Sequence, residues 1–344
     1  MPNSLSRRRF IQSAVGAAGG LAAVTAGAGT LLTTPLDRQA RAEAIANISA
    51  RPINVQSGAK TDPFIYCLNM STIRGQIQSQ KLDLAKQCDI AIQAGYKGIE
   101  PWMNHVHQYK EAGGSLKDLG RKLNDAGVTV ESAIGFAKWI VDDDAVRAKG
   151  LEDAKRDMDA IAQLGGTHIA APPVGAHKGG DKLDLFKAAE RYSDLLKVGD
   201  QTGVIPMVEV WGFSKNLSRL GESVFVMVES GHPKACLLPD VYHVFKGGSP
   251  FEGLAQLSPD AIPVFHMNDY PGNPPRTEMN DSHRVYPGDG IAPLTKILAP
   301  LTKGAKPIAL SLELFNRDYW KQDPLKVAKT GLAKMKAAVA KVIV

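Results

Sequence analysis

The sequence predicts an α/β chain whose strands close into a (β/α)₈ TIM barrel. Three observations carry that prediction. Eight short apolar, β-rich runs lie between residues 64 and 314, an amphipathic segment follows each of them, and the stretch that holds them has the length such a barrel needs, typically ~250 residues. Strict alternation marks a parallel sheet, because a strand can return parallel to its neighbour only through a crossover, usually a helix. Eight units point to a closed cylinder. An open doubly wound sheet is the alternative, and it requires the weak units near residues 168 and 251 to be miscounted.

The N-terminus stands apart from this pattern. Arg7-Arg8-Arg9-Phe10-Ile11 precedes a mild apolar stretch rich in Ala and Gly, Ala14 to Leu32, and Ala40-Arg41-Ala42 offers a small-x-small cleavage site. Paired arginines before a bulky apolar pair resemble the twin-arginine signal read by the Tat export machinery. The expectation is a signal over residues 1–42, an arm or linker over 43–62, and a barrel domain over 63–344, exported to the periplasm or beyond. The alternative reading of the first segment is an uncleaved anchor, for which its glycine content is unfavourable. Residues 1–42 hold five arginines and one aspartate, so the net charge of +6 falls to +2 (36 basic, 34 acidic) without them. A nearly balanced surface gives no reason to expect nucleic acid or a membrane as partner, and it leaves a homo-oligomer open. Cys67, Cys88 and Cys236 are odd in number and widely spaced, which fits buried thiols better than a disulfide framework or a zinc knuckle.

Along the barrel, the strand runs are Phe64–Met70, Gly98–Trp102, Val128–Ile134, His168–Ala171, Pro206–Trp211, Ala235–Val241, Pro263–Asn268 and Ile308–Leu314. The helical patterns between and after them are Lys81–Ala94, Leu116–Ala126, Ala145–Leu164, Leu183–Gln201, Leu217–Glu229, Phe251–Leu257, Ile291–Leu298 and Leu325–Val342. Gly95 and Gly203 stand where two of these helices must stop in the left-handed conformation. Asp269 to Gly290 is rich in Pro, Gly, Asn and Asp and lacks an apolar period; unstructured stretches of this length in compact domains are usually functional. It follows strand seven, on the face where barrel active sites sit.

In such a barrel the C-terminal ends of the strands share one mouth. Strand five delivers Glu209 there, strand six Asp240, strand seven His266 and strand eight Glu313. Taken singly, each glutamate would serve as an ion-pair partner and His266 as a hydrogen-bonded core residue. Four successive strands each carrying such a group on one rim is not a packing pattern, since burying unpaired charge costs several kcal/mol. Three carboxylates and an imidazole suit one divalent metal of the oxygen-loving kind, Mn²⁺ before Mg²⁺ or Co²⁺, with Zn²⁺ as a further alternative. Glu100 and Trp102, at or just past strand two, are candidate substrate contacts, Trp102 as a platform for a sugar face unless it simply covers the barrel end. Lys215, His283 and Arg284 lie on loops at the same face and could reach a substrate or only water.

The series Glu209, Asp240-x-x-His243, His266, Glu313 resembles that of the xylose isomerase-like barrel family of sugar phosphate isomerases and epimerases, over roughly Pro63 to the C-terminus. Gly288-Asp289-Gly290 and Gly98-Ile99-Glu100 resemble further family turns and strand ends. The resemblance implies that Glu209, Asp240, His266 and Glu313 hold the metal, that His243 contacts substrate, and that Glu209 and Glu313 act as opposed acid and base. Where many members carry an arginine shortly after the strand-seven histidine, this chain has Arg276, beyond several prolines and a glycine, and the resemblance makes it a candidate substrate contact. The expected function is a metal-dependent isomerase or epimerase working through an enediolate. Its substrate would be a non-phosphorylated keto-sugar or related polyol, because sugar phosphates are chiefly intracellular. The alternatives are a lyase or hydratase of a keto-glycoside or inosose, an endonuclease-IV-like repair enzyme, and a sugar-binding protein without catalysis.

Overall fold

The structure is a computed structural model and describes residues 62–343. The export signal and all but the last residue of the expected arm lie outside the described residues. Eight strands follow in chain order: β1 Phe64–Asn69, β2 Gly98–Glu100, β3 Thr129–Val130, β4 His168–Ala171, β5 Ile205–Glu209, β6 Leu237–Leu238, β7 Val264–Met267 and β8 Ile308–Leu312. Every ladder between them is parallel. One run of the sheet orders β3-β2-β1-β8-β7 and the other β4-β5-β6. Parallel bridges from Ile134 to Ala170 and from Asp240 to His266 join the two runs, so each strand lies beside its neighbour in sequence and the cylinder closes. The open-sheet alternative is thereby removed.

The strands read as continuous apolar runs because the barrel interior and the helices bury both of their faces; β8, Ile-Ala-Leu-Ser-Leu, is buried at all five positions. They are shorter than the runs in the sequence, for a reason visible at β3. Ile99 pairs with Val130, whereas Trp102 pairs with Ile134, so one extra residue enters on the β3 side. Such a bulge breaks the regular ladder while the chain stays extended toward the mouth.

Ten α-helices lie among the described residues: α1 Arg74–Ser79, α2 Leu84–Ala94, α3 Met103–Glu111, α4 Leu116–Asp125, α5 Asp144–Gln163, α6 Leu185–Thr202, α7 Leu220–Glu229, α8 Val241–Lys246, α9 Leu294–Leu301 and α10 Pro324–Val339. Side chains of Asp83, Ser115, Asp143, Asp184 and Asp323 accept from backbone N–H groups at the starts of α2, α4, α5, α6 and α10, satisfying donors with no partner inside the helix. Gly95 and Gly203 end α2 and α6 in the left-handed conformation, at φ 90° and 78°. Three helices were not expected. Two of them, α1 and α8, are only six residues long, too short to show an apolar period; α3 buries just Met103, His105 and Val106. The helix expected over Phe251–Leu257 is a 3₁₀ segment, Phe251–Gln256, with glycine at its third position. No described helix is long and apolar enough to cross a membrane.

Candidate metal centre

Asp240 shows how local folding builds the site. It is the N-cap of α8, and its Oδ1 accepts the backbone N–H of His243 at 2.8 Å. The Asp-x-x-His spacing is therefore that of a helix start, with the histidine in the first turn. The other oxygen, Oδ2, faces the mouth, where Asn268 Nδ2 donates to it at 2.9 Å. Asn268 was not singled out in the sequence; its Oδ1 also accepts from Tyr242 N at 2.9 Å, so it ties the end of β7 to the start of α8.

Glu209, Asp240, His266 and Glu313 come together at the C-terminal end of the barrel, none more than 4% exposed. Nδ1 of His266 lies 3.2 Å from Glu313 Oε2, 3.7 Å from Asp240 Oδ2 and 3.9 Å from Glu209 Oε1. Ligand atoms of Asp240, His266 and Glu313 lie within 4.8 Å of one another, while Glu209 stands at the margin of this cluster. Donors at roughly 2.1 Å from one ion sit about 3–4 Å apart, so these separations fit a single cation. Two buried atoms at this point, His266 Nδ1 and Glu209 Oε2, have no hydrogen-bond partner. Buried polar atoms are almost always satisfied, and a divalent ion would satisfy both. The donor set and these orphaned atoms thus fit a resident metal.

Glu100 takes a different place from the expected one. It is fully buried, and its Oε2 faces His266 Nε2 at 2.9 Å while accepting from Asn69 Nδ2 and Ser311 Oγ, each at 2.7 Å. It faces His266 rather than the open mouth; in the neutral imidazole that a metal ligand requires, it holds the proton on Nε2 and leaves the lone pair of Nδ1 turned inward. Burial favours a neutral His266, but the charges of Glu313 and Glu100 outweigh it and hold the imidazole well above its usual pKa. Burial, opposed by His266 and reinforced by Glu313, pushes Glu209 up to about 8. Burial would raise Glu313 as well, yet His266 and Arg284 hold it well below the usual carboxylate range.

The site's arginine is Arg284. It is fully buried, with Nη1 donating to Asp240 Oδ2 at 2.8 Å and to Glu313 Oε2 at 2.7 Å. Nη2 meets His243 Nε2 at 3.0 Å and Asp281 Oδ1 at 2.7 Å. The loop brings it there because Asp269 straps the loop's base: its carboxylate accepts from the backbone N–H groups of Gly288, Gly290 and Ala292 at 2.9 to 3.1 Å. A Cβ at Gly290 would lie 2.3 Å from that carboxylate, which is why glycine stands there. Three expected substrate contacts lie elsewhere. Arg276 is exposed and donates to the carbonyl of Lys246 at 3.0 Å. His283 caps its own short turn, its Nδ1 accepting from Asn280 N at 3.0 Å. Lys215 is exposed and donates to the carbonyl of Gly180. A loop of prolines and polar residues gives no period from which its inward residue can be read. His243 and Trp102 are at the mouth as expected, Trp102 donating from Nε1 to Asn69 Oδ1 at 3.1 Å and lying 6.0 Å from the ring of Phe315.

Residues 88–338 match the family model described as xylose isomerase-like TIM barrel, and the chain belongs to that family. An inosose isomerase from Bacillus velezensis is 26% identical over 193 residues, which are 56% of this chain and 69% of that protein. Among solved structures, the zinc-bound IolI protein superposes with a TM-score of 0.72 at 20% identity, over 81% of this chain and 99% of that one. An L-ribulose 3-epimerase superposes with a TM-score of 0.63 at 16% identity, over 81% and 95%.

Proposed function

We propose that this member of the xylose isomerase-like TIM barrel family is an isomerase or epimerase of a non-phosphorylated keto-sugar or related polyol. In this reading it depends on one divalent metal, Mn²⁺ in preference to Mg²⁺, Co²⁺ or Zn²⁺, held by Glu209, Asp240, His266 and Glu313. The observation that carries the proposal is the meeting of three strand-end carboxylates around His266 Nδ1 at 3.2 to 3.9 Å, with that nitrogen and Glu209 Oε2 buried and unpartnered. The inosose isomerase relative and the epimerase neighbour support the reaction class, and the zinc-bound neighbour supports a metal.

A bound divalent ion supplies Lewis-acid polarisation of a substrate carbonyl and stabilises the negative charge that develops beside it. The chain's own residues do the rest. Glu209 and Glu313, on strands five and eight, take opposite faces of the carbon next to the carbonyl. One removes its proton to leave an enediolate, and the other returns a proton, work typically contributing ~10²–10⁴-fold. His243 and Trp102 position the sugar, the first by hydrogen bonding and the second by its ring face. Arg284 already answers Asp240, Glu313 and Asp281, so its charge is engaged before any phosphate arrives. This favours an uncharged sugar. So does export by the Tat route, read from residues 1–42, which would put the enzyme outside the cytoplasm.

The test is incubation of the metal-loaded protein with keto-sugars and inososes in deuterated water. Epimerisation places deuterium at the carbon that loses its proton, and isomerisation at the neighbouring carbon that gains one. An unsaturated product instead assigns the protein to the lyases, and the absence of both exchange and product overturns the proposal.

A further inference from the structure

Beside the mouth lies a groove of about 670 Å³ that the reaction proposed above does not use. Its walls come from α3 (Met103, Asn104 and His107), the loop after β3 (Phe136 to Lys138) and α5 from Ala145 to Asp157, and it reaches the mouth at Phe136. Phe136 belongs to both. Its ring lies 5.3 Å from that of Trp102 and 6.4 Å from that of Trp211, which continues to Phe213 at 5.1 Å. Phe136 is 40% exposed, Phe213 41% and Val146, farther along the groove, 39%. Leaving large apolar side chains in water costs roughly 25 cal/mol per Å², and a contiguous exposed set marks a surface that something covers.

The chemistry of the groove is that of polyol recognition. Met103, Phe136 and Val146 offer apolar faces, while His107, Lys138 and Asp157 supply donors and acceptors beside them. His107 Nε2 and Asp157 Oδ1 are paired at 2.6 Å, at side-chain exposures of 23% and 10%. The walls are rigid. Gly150 lets α5 press against the loop, since a Cβ there would lie 2.5 Å from the carbonyl of Lys138. Buried Trp139 donates from Nε1 to Pro172 O at 3.0 Å, and Arg191 Nη1 to Ile140 O at 2.7 Å. A preformed cleft of ~300–1,000 Å³ with apolar walls and a few fixed polar groups is the ordinary form of a small-molecule site.

We propose that this groove is a second carbohydrate subsite. The substrate is then a glycoside: its keto-ring meets Glu209 and Glu313, and its second ring lies along Phe136 between α3 and α5. The assignment of the first ring rests on the function proposed above; the second subsite rests on the groove.

Isothermal titration of the metal-loaded full chain with glucose, maltose and cellobiose tests it. Each is used as its methyl glycoside, which cannot open to a carbonyl and so serves as an unreactive probe. At least one disaccharide is expected to bind about tenfold more tightly than glucose. Phe136→Ala and Val146→Trp, both at exposed positions, should each reduce that preference to within twofold, whereas Arg276→Ala should retain it. Equal affinities for all three sugars, or a preference that survives in both groove variants, overturn the proposal. Keto-sugar turnover without a disaccharide preference sinks the subsite and spares the reaction. A Phe136-dependent preference in a protein that turns over no keto-sugar does the reverse.

Discussion

Glu100 Oε2 faces Nε2 of His266 at 2.9 Å, with neither side chain exposed to solvent. This contact fixes which imidazole nitrogen looks into the mouth. Partners of this kind typically contribute 10–100-fold to metal affinity. Glu100→Gln is expected to weaken Mn²⁺ binding by that factor, measured by calorimetry, with the fold retained by circular dichroism. Unchanged affinity would show that His266 is oriented without it.

The two glutamates should be indispensable to turnover, and circular dichroism should show both variants folded. Glu209→Gln and Glu313→Gln are each expected to lower kcat/KM by at least about 10²-fold, in line with the loss of a positioned acid or base. A chelator should abolish turnover, and added Mn²⁺ should restore it. Full activity in the chelated protein would contradict the metal assignment.

Arg284 and Arg276 make a contrasting pair. Arg284 is buried against Asp240 and Glu313, and removing one partner of such a cluster typically costs ~3–5 kcal/mol. Arg284→Met should therefore lower the melting temperature of the metal-free protein, and saturating Mn²⁺ should recover part of the loss by supplying positive charge. Arg276→Ala and Lys215→Ala, at exposed positions, should leave stability and keto-sugar kinetics within about twofold of the parent. Equal melting temperatures for all three variants would refute the distinction.

The opposite end of the barrel sets an acid limit. Burial lowers His168, at the start of β4, from 6.5 to about 4. Between those values the unfolded chain binds a proton there and the folded chain does not. The stability that neutral His168 contributes is present above pH 6.5 and is lost as pH falls toward 4. His168→Gln should flatten the decline of melting temperature over that window; an unchanged slope would assign the decline to other groups.

Much of the fold was legible because it is written in period and composition. The eight runs all became strands, and His168–Ala171 matched to the residue. The four rim groups were legible for a related reason: charged or imidazole groups at the ends of apolar runs stand out against their neighbours. What was not legible was direction within loops and short helices. Glu100 looked like a mouth residue and turned out to be a partner of His266. In the loop after β7 the inward arginine was Arg284 rather than Arg276, because Asp269 folds the loop back through four backbone N–H groups, a closure between residues as far apart as 269 and 292.

By itself, then, the sequence determined that strands alternate with helices, in what order the eight units run, and which ionisable groups lie toward the strands' C-terminal ends, since local periodicity and the cost of burying charge act on neighbouring residues. Only the tertiary structure decided which nitrogen of His266 faces the cluster, which arginine balances it, and that Phe136 joins the mouth to a second groove. Those outcomes depend on contacts between segments distant along the chain, whose geometry is set when the cylinder closes.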